Sequence, residues 1–521
     1  MRGWPPKGGP TATAGPVPPG YPARMWGASN PCIGRPRLRT LQLMNAASPA
    51  NIQSVLDHLD AGRPDQAEAA LAGLLGEGAP APLWGLGGVV AAGLGRYRLA
   101  ADRFAQALRL APDQPNHSAN LAGALVKLGR LADAEQLLRQ LLEKHPGHPA
   151  AAATLGAALH GQGRFAQARA FLEQSLALRP DDPALLVSLG TVAKDLGDLS
   201  TAIHHLQRAV TLAPGDATAR WNLAVALLTA GRWREAWPLV EARRHHPDYA
   251  LASHAGPAWT GQPLTGRTLL VHAEQGRGDV LQLARLLPVV AAWGARLVVE
   301  CQPELARLMA RVPGVAQVVP RGTPVPAYDV QCVMMSLCGP LGVEADKVPG
   351  PDIWLSADPA EQAAWAERLE GPGLRVGLCW AGQPANPVDA RRSLALAALH
   401  PLAAVPGVRF VCLQQGPAAA QAADWPGGMV QADLPDFAAT AALVANLDLV
   451  ISVDTAVAHL AGGLGRPVWL LNRFDGCWRW LKDRPDCGWY PGLRQFRQRV
   501  AGDWSYPVSL LAARLRAQAS R

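Results

Sequence analysis

The chain has 521 residues, too many for a single hydrophobic core, so two or three domains are expected. Apolar residues make up 49% and charged residues 17%, a globular balance that excludes wholesale disorder. Of the net charge of +8, six cations lie within residues 1–43, which hold no acid, so the remainder is near neutral and offers no charge argument for nucleic acid or a membrane surface.

No apolar run reaches the roughly 18 residues of a membrane span. Eight cysteines occur without a CxxC pair or a zinc-spaced His/Cys cluster. This points to reduced thiols, with Cys332 and Cys338 buried in an apolar stretch, and to a cytoplasmic protein without metal or resident cofactor. Residues 1–43 contain nine prolines and seven glycines and lack both the apolar core of a signal peptide and the amphipathic pattern of a transit peptide. They read as a disordered segment; Met44 opens directly into the first helical pattern.

A repeat of 34 residues comes next. Pro112, Pro146, Pro180 and Pro214 keep that spacing, as do Gly129, Gly163, Gly197 and Gly231, and Ala134, Ala168, Ala202 and Ala236. Leu121, Leu155, Leu189 and Leu223 keep it too, each followed by a small residue that lets the first helix of a pair press on the second. Glycine ends that first helix, and proline closes the second and starts the next unit. The pattern resembles the tetratricopeptide repeat and spans 48–250, with a degenerate copy at 48–80. Such stacks form a superhelix with a concave surface for a protein or peptide. Trp221 and Trp233 are expected to cap the stack against the next domain.

Beyond residue 255 the period vanishes and strand-like runs alternate with helical ones. "RTLLVHA" (267–273), "ARLVVEC" (295–301), "VAQVVP" (315–320) and "YDVQCVMM" (328–335) form one series. "LRVGLCWAG" (374–382), "VRFVCLQQG" (408–416), "DLVISVD" (448–454) and "PVWLLN" (467–472) form another. Helical patterns at 279–293, 303–311, 358–369, 395–404 and 437–446 lie between them. The alternation predicts two Rossmann-like halves, 255–355 and 372–521, with ligands beyond the carboxyl ends of the strands.

Four loops occupy such ends. In "HAEQGRGDVLQLARLLP", Asp279 is either a helix N-cap or an acid facing a ligand; the full GxGxxG spacing is absent. In "WAGQPANPVDARRSLALAAL", Arg391 and Arg392 precede a helix start, where cations are unfavourable; they are either solvated arginines on a loop or the partners of a bound anion such as a diphosphate. Ser393 follows them. In "LQQG", Gln414 and Gln415 suit either a base or sugar, or the capping of a loop. In "DLVISVDTAVAHLAGGLGRPVWLL", Asp454 and Thr455 leave a buried strand, and His459 lies one turn into a helix whose first N–H groups suit phosphate oxygens.

"DTAVAHLAGGLGRPVWLL" resembles the donor-site motif of glycosyltransferases related to ADP-heptose:lipopolysaccharide heptosyltransferases, and "EQGRGDVLQLARLLP" resembles their amino-terminal Gly-Asp loop. The chain is also similar in layout to O-linked N-acetylglucosaminyltransferases. The resemblance implies an all-α tetratricopeptide superhelix followed by an α/β GT-B domain, with the acceptor on the first half and the donor on the second. It further implies a metal-independent glycosyltransferase moving a sugar from a nucleotide sugar to a protein or glycan acceptor recruited by the repeats. Asp279 would be the general base, and Arg392, Ser393, Gln414, Asp454, Thr455 and His459 would contact the donor. Two alternatives stand beside it: an inactive scaffold, and a nucleotide-sugar sensor that needs the donor residues but not Asp279.

Overall fold

The computed structural model describes residues 49–246, 254–274, 276–384, 386 and 388–520. The segment 1–43, read as disordered from its composition, lies outside them. Consecutive helix pairs, from Pro49–Asp60 with Pro64–Leu71 to Ala217–Thr229 with Trp233–Val240, make the amino-terminal arm. Gly129, Gly163, Gly197 and Gly231 turn each pair at φ of 74°, 77°, 84° and 75°, a left-handed conformation that costs glycine nothing. The small residues work as expected: a Cβ at Gly156 would lie 2.6 Å from Leu172 Cγ, and one at Gly190 2.5 Å from Leu206 Cγ. Asp182 and Asp216 cap their helices by accepting the backbone N–H groups of Ala184 and Thr218.

The last pair is welded to the rest of the chain. Trp233 is fully buried, its ring edge-on to Trp478 at 5.5 Å and 6.1 Å from Trp489. Trp237 Nε1 donates to Val343 O at 2.7 Å. Trp221 is buried in the same core, which runs without a break from the repeats into the α/β region. Arg243, fully buried, donates through Nε and Nη2 to the Glu274 carboxylate at 2.8 and 2.9 Å.

The α/β region holds two parallel sheets. The first contains β1 (Thr268–His272), β2 (Arg296–Cys301), β3 (Val315–Pro320) and β4 (Val330–Val333) in the order β3-β2-β1-β4. The second contains β5 (Leu374–Cys379), β6 (Val408–Cys412), β7 (Leu449–Val453), β8 (Val468–Asn472) and β9 (Leu493–Arg497) in the order β6-β5-β7-β8-β9. The central strands are buried along most of their length, as strands covered on both faces require, while the edge strand β3 is for the most part exposed or half-buried. The strand order reverses at β1/β4 and at β5/β7, the kind of junction at which open parallel sheets generally take ligands.

Several expectations need correction: the 303–311 helix is a 3₁₀ turn Pro303–Leu305 followed by Ala306–Met309, and Arg391 and Arg392 lie in the last turn of the short helix Asp389–Arg392, where cations are favourable, not ahead of a helix start. The predicted helix 279–293 is Arg277–Leu283, a 3₁₀ turn Ala284–Leu286, and Leu287–Ala291. Pro288 cannot donate to the i−4 carbonyl and its ring crowds that group, so the helix breaks. The 395–404 pattern divides the same way, into a 3₁₀ turn Leu396–Leu399 and a short helix His400–Ala403 that carries Pro401 in its first turn. Strand β9 and the helix Ser505–Ala519 were not predicted; β9 carries Arg494, Gln495 and Arg497, which hide its alternation. The described cysteines are free thiols, and burial pushes the Cys332 thiol up to about 12. Among the described residues, no helix is long and apolar enough to cross a membrane.

Candidate active site

The Gly-Asp loop and the Asp-Thr-x-x-x-His stretch meet. The helix Arg277–Leu283 leaves β1, and the helix Ala456–Gly463 leaves β7. They approach so closely that a Cβ on Gly278 would lie 2.8 Å from His459 Cδ2 and 3.5 Å from Ala456 Cα. Two loops far apart in the chain thus face one another across the join between the sheets.

Asp279 is buried, and both its oxygens are engaged. The helix N-cap is Gly276, so Asp279 is its third residue and not the cap; Oδ2 accepts the Gly276 N–H at 3.0 Å, and Oδ1 is ion-paired with Arg479. Arg479 also donates from Nε to Gln282 Oε1 at 2.8 Å, and its guanidinium lies 4.6 Å from the Trp478 ring centroid. His459 is buried, stacked on Trp480 at 4.9 Å, with Nδ1 2.7 Å from the Tyr490 hydroxyl. Burial pushes its imidazole down to about 4, against the pull of Asp454, so it is neutral near pH 7.

At the β5/β7 junction, Arg392 Nη1 donates to Asp454 O at 2.9 Å and Nε to Asp389 Oδ1 at 3.0 Å. Burial opposes ionisation of Asp454, but the nearby Arg392 and Arg473 cations outweigh it and hold the carboxyl below its ordinary range. Ser393 Oγ accepts the Gly382 N–H at 2.9 Å and pins the loop that carries Arg392. These groups stand together at the mouth of the reversal point.

Two predicted contacts point elsewhere. Gln414 is buried and fully occupied: Oε1 accepts the N–H groups of Trp380 and Ala381, and Nε2 donates to Ala381 O and Gln415 O. It holds the β5 loop in shape. The Thr455 hydroxyl turns back into the sheet, 3.0 Å from Ser452 Oγ and 3.6 Å from Cys379 Sγ, and does not cap its helix. Arg391 faces the repeats: it pairs with Asp475 at 2.5 Å and lies 5.6 Å from the Phe165 ring centroid, while Phe165 stacks on Phe474 at 6.5 Å.

Arg473, at the end of β8, is the residue missed by reading the sequence. It is buried, it bonds through Nε to Asp475 O at 3.1 Å, and its Nη1 has no hydrogen-bond partner among the described residues. The signal was present in "VWLLNR", a cation placed directly after a buried strand. Arg473 is ion-paired with Asp475, Nε to Oδ1 at 3.2 Å, and acts with Arg392 on the Asp454 carboxylate; its unpartnered guanidinium nitrogen suits an anion.

Known proteins resemble the helical arm most clearly. Family models described as tetratricopeptide repeat match residues 91–159 and 127–189, and others match 53–115 and 187–252. The helical arm is a tetratricopeptide-repeat array. Protein FlbA of Caulobacter vibrioides (strain ATCC 19089 / CIP 103742 / CB 15) is 32% identical over 328 residues, covering 56% of this chain and 54% of that protein. The chain therefore spans about half the length of this curated relative. Among solved structures, the thermophilic tetratricopeptide-repeat protein TTC0263 of Thermus thermophilus is 27% identical, with a TM-score of 0.28 over 30% of this chain and 87% of that one. MamA from Desulfovibrio magneticus RS-1 is 22% identical, with a TM-score of 0.27 over 31% and 93%.

Proposed function

We propose that the chain is a nucleotide-sugar glycosyltransferase whose tetratricopeptide arm recruits a protein or glycan acceptor. One observation supports this reading above others: at the strand-order reversal of the second sheet Arg392 donates to the Asp454 carbonyl just before the 456–463 helix, and Arg392 and Arg473 both act on the Asp454 carboxylate. The phosphate of a departing nucleotide would be stabilised there by fixed positive charge and dipole. Asp454 would orient Arg392 and the sugar. In this reading the two parallel sheets would serve as the halves of a GT-B enzyme, and Asp279 on the facing helix is the proposed general base. In this geometry Arg479 occupies one Asp279 oxygen, so the base role requires Arg479 to swing away when an acceptor hydroxyl arrives.

That engagement favours a second reading, a nucleotide-sugar sensor that binds the donor without transfer. Thermal shift against a panel of nucleotide sugars tests what both readings share, because a bound ligand raises the melting temperature by mass action. Arg392→Ala and Arg473→Ala should each remove most of that shift while leaving the fold intact. Absence of a shift with every nucleotide sugar would refute both readings, and a shift without turnover on any acceptor would leave the sensor.

A further inference from the structure

A second cluster of chemistry-bearing side chains lies apart from the residues above, at the carboxyl end of β1. His272 ends that strand and sits in register with Glu300 of β2, and both are buried. His254 reaches them from the connector between the repeats and the sheet. Its Nε2 is 2.8 Å from Glu300 Oε2, and its ring centroid is 4.6 Å from that of His272. One ligating atom from each of His254, His272 and Glu300 lies within 4.8 Å of the others. The connector is fixed where it passes: Trp259 N donates to Gln331 O at 2.8 Å, Gln331 N to Pro257 O at 3.0 Å, and the Tyr328 hydroxyl to Ala255 O at 2.6 Å.

The second sphere is built as well. His272 Nε2 is 3.0 Å from Gln331 Oε1, an amide oxygen that can only accept, so Nε2 carries the proton and Nδ1 keeps its lone pair. Nδ1 is buried and has no hydrogen-bond partner among the described residues, although the residue is 2% exposed. A buried imidazole with one nitrogen tied to an amide oxygen and the other unused is the arrangement that metal-binding histidines adopt.

We propose that His254, His272 and Glu300 form a binding site for a zinc-class divalent metal ion that clips the repeat-to-sheet connector onto the first sheet. Two imidazoles and a carboxylate suit a borderline cation, and three protein ligands leave a fourth position for water or another ligand. The calcium and magnesium class, which takes oxygen ligands, does not fit two nitrogens. The site stands whether or not the second sheet binds a nucleotide sugar, because it shares no residue with that proposal.

The test is titration of the chelator-treated full-length protein with Zn²⁺ by calorimetry and with Co²⁺ by visible absorption. One tight ion per chain is expected, with a tetrahedral-type cobalt spectrum and a raised melting temperature. His254→Ala, on the partly exposed connector and so tolerant of change, should abolish tight binding, as should Glu300→Gln. Gln331→Leu, which removes only the orienting partner of His272, should weaken binding by roughly 10–100-fold. Absence of tight binding to the wild-type chain, or an affinity that His254→Ala and Glu300→Gln leave unchanged, would overturn the proposal.

Discussion

Replacing Asp279 by Asn separates the two jobs the structure gives this carboxylate. Asn can still accept the Gly276 N–H through its amide oxygen, so that contact at the helix start survives at little cost. The ion pair with Arg479 does not survive. The side chains of Asp279 and Arg479 are only 9% and 11% exposed, so the substitution strands a guanidinium in a largely dry site. Breaking one partner of a buried pair costs about 3–5 kcal/mol. Arg479 keeps Gln282 Oε1 at 2.8 Å and the Trp478 face at 4.6 Å, which places the expected loss at the lower end, about 3 kcal/mol. Urea denaturation followed by tryptophan fluorescence measures it, and adding Arg479→Met should recover much of the loss, since removing both charges leaves none unpaired. A loss below about 1 kcal/mol, or strictly additive single and double variants, would refute the argument that the pair is buried and coupled. Turnover is read in the same protein: a general base lost should lower it by roughly 10²–10⁴-fold at unchanged donor affinity. Lost stability with normal turnover would make Asp279 a positioning residue only.

Removing residues 1–246 should leave an aggregating fragment without a cooperative melt, because Trp478 and Trp489 lose their cover and Glu274 loses Arg243; a soluble fragment melting within a few degrees of the full chain would refute the shared core. Stability should fall as pH drops from 6.5 towards 4, by up to roughly 3 kcal/mol from His459, because the unfolded imidazole takes up a proton near 6.5 while the folded one resists until about 4. His459→Gln should flatten that part of the profile measured by urea midpoints, and an unchanged slope would show that the buried imidazole is not its source.

Much of the architecture was legible in the chain. A strict spacing of Gly, Leu, Ala and Pro determines the repeats, because each residue answers a local need: a left-handed turn, a close helix crossing, a helix stop. Eight strands could be read from predominantly apolar runs, which the central strands need because both their faces are covered. That Arg392 and Asp454 lie at strand ends was legible from the buried runs before them, and the fold brings the two together. Local pattern failed where neighbours decide. β9 pairs with β8 despite its arginines, and Gln414 and Thr455 turn inward to satisfy backbone and hydroxyl groups that only the packed loops bring near. The pairing of Asp279 with Arg479, the burial of His459 under Tyr490 and Trp480, and the meeting of His254, His272 and Glu300 join residues far apart in sequence. No periodicity encodes such pairs; they exist because tertiary packing excludes water, and a buried charge or imidazole must then find whatever partner the fold delivers.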